Sequence, residues 1–107
     1  MKGFGELNKS NKKLNKKNKP STDQLINQAI NFHSQGNISE AIKYYQYCIN
    51  QGVKDEKVFS NYGIILENQG KKEKAENLYR KAIELNPYFA NAYSNLGNVL
   101  RDLGKLE

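Results

Sequence analysis

Tryptophan is absent from the 107 residues, histidine, cysteine and methionine occur once each, and there are two prolines. No Ser or Cys has a plausible paired base, and there is no Gly-rich phosphate loop and no metal-spaced cluster of His, Cys and carboxylates. Catalysis, a metal and a cofactor are therefore not expected, and the chain reads as a non-enzyme. Cys48 stands alone and cannot form an internal disulfide. His33 is expected to be a plain polar surface residue near the end of a helix. No apolar stretch is long enough to span a bilayer, and residues 1 to 20 hold no apolar run of the kind a secretory signal needs. The location expected on these grounds is cytoplasmic, with no membrane partner.

Arginine is scarce as well, two residues against fifteen lysines and fifteen asparagines, a bias that an AT-rich genome produces without selection for binding. Charge is unevenly placed. Residues 1 to 20 carry seven lysines and one glutamate, whereas residues 21 to 107 carry ten basic and ten acidic residues, so the whole net charge of +6 belongs to the leader. Poor in large apolar residues, the leader cannot bury enough surface to offset its ordering entropy and is expected to be disordered. With no arginine and few apolar residues among its lysines, it is read as a solvated leader and not as a binder of nucleic acid or membrane. Pro20, Ser21, Thr22 and Asp23 mark its end and offer an N-cap to a first helix.

What is present is a period of 34 residues. Gly36, Gly70 and Gly104 align, as do Leu25, Phe59 and Tyr93, Ala41 and Ala75, and Tyr45 and Tyr79. An internal period of this length equals two short helices with their turns. In the best-formed copy Phe59, Tyr62, Gly63 and Leu66 recur at spacings of three and four, so they share one face of a first helix. Ala75, Leu78, Tyr79, Ala82 and Ile83 form the matching face of a second. Gly63, Ala75 and Ala82 let the backbones approach, with Tyr62 and Tyr79 filling the space beside them. Gly70 supplies the left-handed turn, and Pro87 stops the second helix after Asn86. In the first copy Cys48 replaces Ala82 as a small core residue, Gln28 replaces an apolar residue and Val53 stands in the place of Pro87.

The succession of aromatic, Leu-Gly, aromatic, Ala, aromatic, Ala and Pro makes residues 22 to 107 resemble a tetratricopeptide-repeat (TPR) protein. The resemblance implies an all-α fold of helix-turn-helix repeats stacked as a right-handed solenoid. The expected organisation is a leader at 1–20 and an array at 22–107, divided into repeats at 22–55 and 56–89 and the first helix of an incomplete repeat at 90–107. It further implies a protein–protein interaction scaffold whose first helices line a concave groove for an extended peptide. One groove position reads Asn27, Asn61 and Asn95, a ladder of carboxamides able to donate to a peptide carbonyl and accept from a peptide N–H. It resembles the asparagine ladder of O-linked N-acetylglucosamine transferases. Asparagine is also common at this place in ordinary repeats and in an Asn-rich chain, and both readings stand at this point.

Neighbouring groove positions are Ile26, Ser60 and Ser94, then Ile30, Ile64 and Asn98, with Lys57, Glu67 and Arg101 toward the edges. Chaperone-binding TPR domains place Lys and Asn where this chain has Ile26 and Ile30, so a clamp for a C-terminal carboxylate is not expected. The leader, Met1-Lys2-Gly3-Phe4-Gly5-Glu6, together with His33 to Ala41, resembles the start of TPR proteins of marine picocyanobacteria. In that group the repeats often precede a transferase domain. The alternative function is thus a substrate-recognition arm of a larger glycosyltransferase or sulfotransferase whose catalytic part lies outside this chain. A third repeat that stops after one helix leaves Tyr93, Leu96, Leu100 and Leu103 without a partner helix, and self-association or fraying is expected there.

Deleting residues 1 to 20 should leave the melting curve nearly unchanged, because those residues bury little. If seven lysines were instead contacting nucleic acid, affinity would fall with salt at a log–log slope of about −5 to −6, which a salt titration would reveal.

Overall fold

The computed structural model describes residues 19–105. Of the leader at 1–20 that is expected to be disordered, residues 1–18 lie outside them. The described residues are all-α: α1 Thr22–Ser34, α2 Ile38–Asn50, α3 Glu56–Asn68, α4 Lys72–Leu85 and α5 Ala90–Asp102. They fall into two compact units, the first ending at Val53 and the second beginning at Lys54. The first is the hairpin α1–α2; the second is the hairpin α3–α4 with α5 packed on it.

Two helix starts and four stops have a local cause that the residues show. Ser21 closes a capping box on α1, its Oγ accepting from Gln24 N at 3.1 Å while Gln24 Oε1 accepts from Ser21 N at 2.7 Å. Asp55 caps α3 by accepting from Lys57 N at 2.8 Å. The first helix of each hairpin ends on a left-handed glycine, Gly36 at φ +79° and Gly70 at φ +80°. There the amide three residues beyond the helix returns to a carbonyl of its last turn, Asn37 N to Phe32 O at 2.8 Å and Lys71 N to Leu66 O at 2.9 Å. The second helices end differently from one another. Extended Asn86 before Pro87 stops α4, whereas Gly52 at φ +80° stops α2, with Val53 N bonded to Cys48 O at 3.0 Å. Val53 therefore does not substitute for proline at all; the preceding glycine does the work.

In the second unit Leu66, Ala75, Tyr79, Leu96 and Val99 form the buried core, with Tyr62, Ile64, Leu78, Ile83, Leu100 and Leu103 packed around it. The closest fit is at Gly63, where a Cβ would sit 2.7 Å from Cε1 of Tyr79. The α4 ring thus lies directly on the α3 backbone, in a place that only glycine leaves open. In the first unit Ala29, Ala41, Tyr45 and Cys48 are fully buried, and Phe32 and Tyr44 stack tilted at a centroid distance of 5.3 Å.

Two acidic side chains of the second helices are buried, and no periodic signal marks either. Glu76 accepts from Lys105 Nζ at 2.8 Å and Arg80 Nε at 2.9 Å, and with the Lys72–Asp102 pair at 3.2 Å it ties α4 to the end of α5. Glu40, 1 % exposed, accepts from Lys43 through Oε2 while its Oε1 has no hydrogen-bond partner among the described residues.

Gly63 and Gly97 hold the same register 34 residues apart, yet a Cβ at Gly97 meets nothing within 4 Å. Gly97→Ala should therefore stabilise by up to about 1 kcal/mol, the helical preference of alanine over glycine. Gly63→Ala should lose that gain to overpacking against Tyr79, which costs about 1–3 kcal/mol. Gly70→Ala should destabilise by about 1 kcal/mol because φ stays positive. Denaturant melts of the three variants check this, and equal shifts for Gly63→Ala and Gly97→Ala would rule out the ring contact.

Candidate functional site

Between the helices of each hairpin a tyrosine hydroxyl reaches the last turn of the first helix. Tyr79 Oη donates to Glu67 Oε1 at 2.7 Å; 34 residues earlier Tyr45 Oη lies 3.3 Å from His33 Nδ1, the rings meeting edge to face at 6.1 Å. His33 is thus not the plain surface residue that its position suggested. It is half-buried, and desolvation lowers its pKa from the ordinary 6.5. Burial, and then the hydrogen bond to the Glu67 carboxylate, push the Tyr79 phenol well above its usual range. Burial likewise raises Tyr44, with the neighbouring Glu40 charge adding to it. Neither tyrosine is available for proton transfer near neutrality. The Tyr79 hydroxyl acts as a fixed donor from α4 to Glu67 on α3.

The residues singled out for a groove divide by burial. Asn27 on α1 is exposed, and Asn61 on α3 and Asn95 on α5 are half-buried. Among the described residues none of these three carboxamides has a hydrogen bond to another side chain. Asn61 and Asn95 stand at one register on α3 and α5, which touch directly within the second unit. Ile30 and Ile64 are half-buried; Asn98 is exposed, its Oδ1 accepting from Arg101 Nη1 at 3.2 Å. Two neighbours expected in the groove are instead buried: Ile26 and Ser60 are each 2 % exposed. They sit one residue before Asn27 and Asn61, about 100° around the helix, and so turn toward the core. Ser94 at the same register of α5 is exposed.

Among the described residues there is no group of three His, Cys, Asp or Glu side chains able to hold a metal ion. No described helix is long and apolar enough to cross a membrane. Cys48 is fully buried in the first hairpin, in the register that Ala82 occupies in the second.

A family model described as TPR repeat matches residues 65–104, from the last turn of α3 through α4 and α5. The chain is also 36 % identical over 59 residues to an uncharacterized protein of Methanocaldococcus jannaschii, an alignment covering 55 % of this chain and 69 % of that protein. The chain belongs to the TPR family. TPR repeats typically mediate protein–protein interactions and are in general non-catalytic.

Two of the shifted groups, His33 and Glu76, give separate pH windows below neutrality. Because folding depresses the His33 pKa, stability should fall as pH drops below its ordinary 6.5, where the unfolded chain takes up the proton more readily. Glu76, held below its ordinary 4.5 by hydrogen bonds from Lys105 and Arg80, stabilises above that value, and its contribution should disappear on further acidification. Thermal melts across pH should show both losses, with His33→Phe flattening the first and Glu76→Gln the second.

Proposed function

We propose that the chain is a protein-interaction module that takes an extended peptide on its first-helix faces, Asn61 and Asn95 holding the peptide backbone in the second unit and Asn27 offering the same group in the first. The observation that carries this reading is the pair of uncommitted carboxamides, Asn61 and Asn95, at one register on the touching helices α3 and α5. A carboxamide offers both a donor and an acceptor, matching the alternation of a peptide backbone without demanding a particular side chain. Asn27 puts the same group at the same register of the first unit. Ile30 and Ile64, one helical turn on from Asn27 and Asn61, add apolar surface beside the polar positions, and Asn98 continues the face on α5.

This arrangement favours tolerance over strict sequence reading. Sequence preference would come from Arg101 and Lys57, whose ion pairing is weak: Lys57 lies 3.9 Å from Asp55, and Arg101 bonds to neutral Asn98. The same face serves the second reading, a substrate-presenting arm of a larger transferase, because presenting a polypeptide also needs a grip on its backbone. Continuation of the open reading frame into a nucleotide-sugar or sulfate-donor site would favour that reading.

Replacing Asn27, Asn61 and Asn95 together by Ala should leave the helical circular dichroism intact. Each lost hydrogen bond is worth about 1 kcal/mol, so partner affinity should fall by two orders of magnitude or about that. Titration of a captured partner peptide by calorimetry measures it, and an unchanged affinity would show that the ladder is compositional only.

A further inference from the structure

Asn61 and Asn95 hold one register on α3 and α5, two helices of the second unit that touch. Helices in contact lie about 8–10 Å apart between axes, so two side chains at one register are separated by about that distance. A peptide gripped by both carboxamides must bring its backbone groups round to the same side at this interval. A β-strand does so every second residue, at about 6.7 Å or, skipping one, at about 13 Å, and neither matches. An α-helix presents nothing to grip, since its N–H and C=O groups bond to one another. A polyproline II helix turns once in three residues of about 3.1 Å each, which returns the same side after about 9.3 Å and leaves every N–H and C=O unbonded. Its period falls inside the helix spacing.

We infer, resting on the peptide-binding face proposed above, that the ligand is a polyproline II segment with a non-proline residue at every third position. One carboxamide takes the N–H and C=O of such a residue, and the other takes those of the residue three further on. Proline lacks the N–H and cannot serve at a gripped position. At the two positions between, it fixes φ at about −65° and holds the segment in its bound conformation beforehand, which lowers the ordering cost of binding. Ile64, half-buried one turn on from Asn61, offers the intervening prolyl rings an apolar surface.

Four fluorophore-labelled peptides of equal length with blocked ends, titrated with the full chain, test this: repeats of Ala-Pro-Pro, repeats of Ala-Pro, proline alone, and repeats of Thr-Ser, which can extend as a strand. The Ala-Pro-Pro peptide should bind most tightly. In the Ala-Pro peptide an N–H never recurs three residues on, so one of the two carboxamides loses a hydrogen bond and affinity should fall about fivefold; with proline alone both are lost and the fall should be about thirtyfold. The double variant Asn61→Ala with Asn95→Ala should keep its circular dichroism and no longer distinguish the three proline peptides. If the unaltered chain binds these three alike, or binds Thr-Ser more tightly than Ala-Pro-Pro through the same two asparagines, the polyproline II ligand is overturned and the peptide-binding face stands. Binding that ignores Asn61 and Asn95, or no binding at all, overturns both.

Discussion

The ring of Tyr79 lying on the backbone of Gly63 is the contact on which the second unit depends. Tyr79 reaches the α3 backbone because Gly63 has no side chain, and Ala75 and Ala82 on either side of it keep α4 close along its length. Its hydroxyl then finds Glu67, so the ring contributes apolar burial at one end and a directional bond at the other. The first hairpin repeats the scheme with Tyr45, His33 and fully buried Ala29 at the register of Gly63. An added methyl at that register is thus tolerated in one hairpin, whereas in the other it would meet the ring at 2.7 Å. Repeats that share a pattern need not share a tolerance.

The hydroxyl's partner is where the repeats diverge in chemistry. Glu67 accepts a short bond from the Tyr79 hydroxyl; His33 makes a longer one, and its burial favours the neutral ring. Arg101 holds this register on α5, where its bond is to Asn98 on the same helix. One structural position thus carries an anion, a neutral ring and a cation in three successive repeats. In the proposed mode of binding, each repeat would therefore set a different edge beside the common carboxamide.

Much of the architecture was legible from residues that recur. The positive φ of Gly36, Gly70 and Gly104, the Ser21 cap and the burial of Phe59, Gly63 and Leu66 all follow from patterns seen two or three times in the chain. Features peculiar to one copy were hidden. Gly52 ends α2 by a route α4 does not use, and Glu76 is aligned with Ile42, so no repeated signal marks the ion-paired carboxylate that fastens α4 to α5. Ile26 and Ser60 were placed on the groove by their adjacency in sequence to Asn27 and Asn61, whereas one residue on a helix is more than a quarter of a turn. The candidate site is legible only as a register, since what a carboxamide binds depends on a molecule outside the chain.

Charge burial constrains the second unit differently from its apolar core. The core of Leu66, Tyr79, Leu96 and Val99 draws α5 onto α4 without specifying how far along α4 it slides. The ion pairs remove that freedom: Lys72 meets Asp102 and Glu76 meets Lys105, two bonds four residues apart on α4 and three apart at the end of α5. Sliding by one turn would leave the buried Glu76 carboxylate without Lys105, an expensive loss for a group so little exposed. The left-handed Gly104 turn places Lys105 for this contact by reversing the chain there, its amide bonded to Leu100 O at 2.8 Å. A turn residue recognised for ending a helix therefore also delivers the cation that fixes where that helix sits, and with it the position of Asn95 on α5.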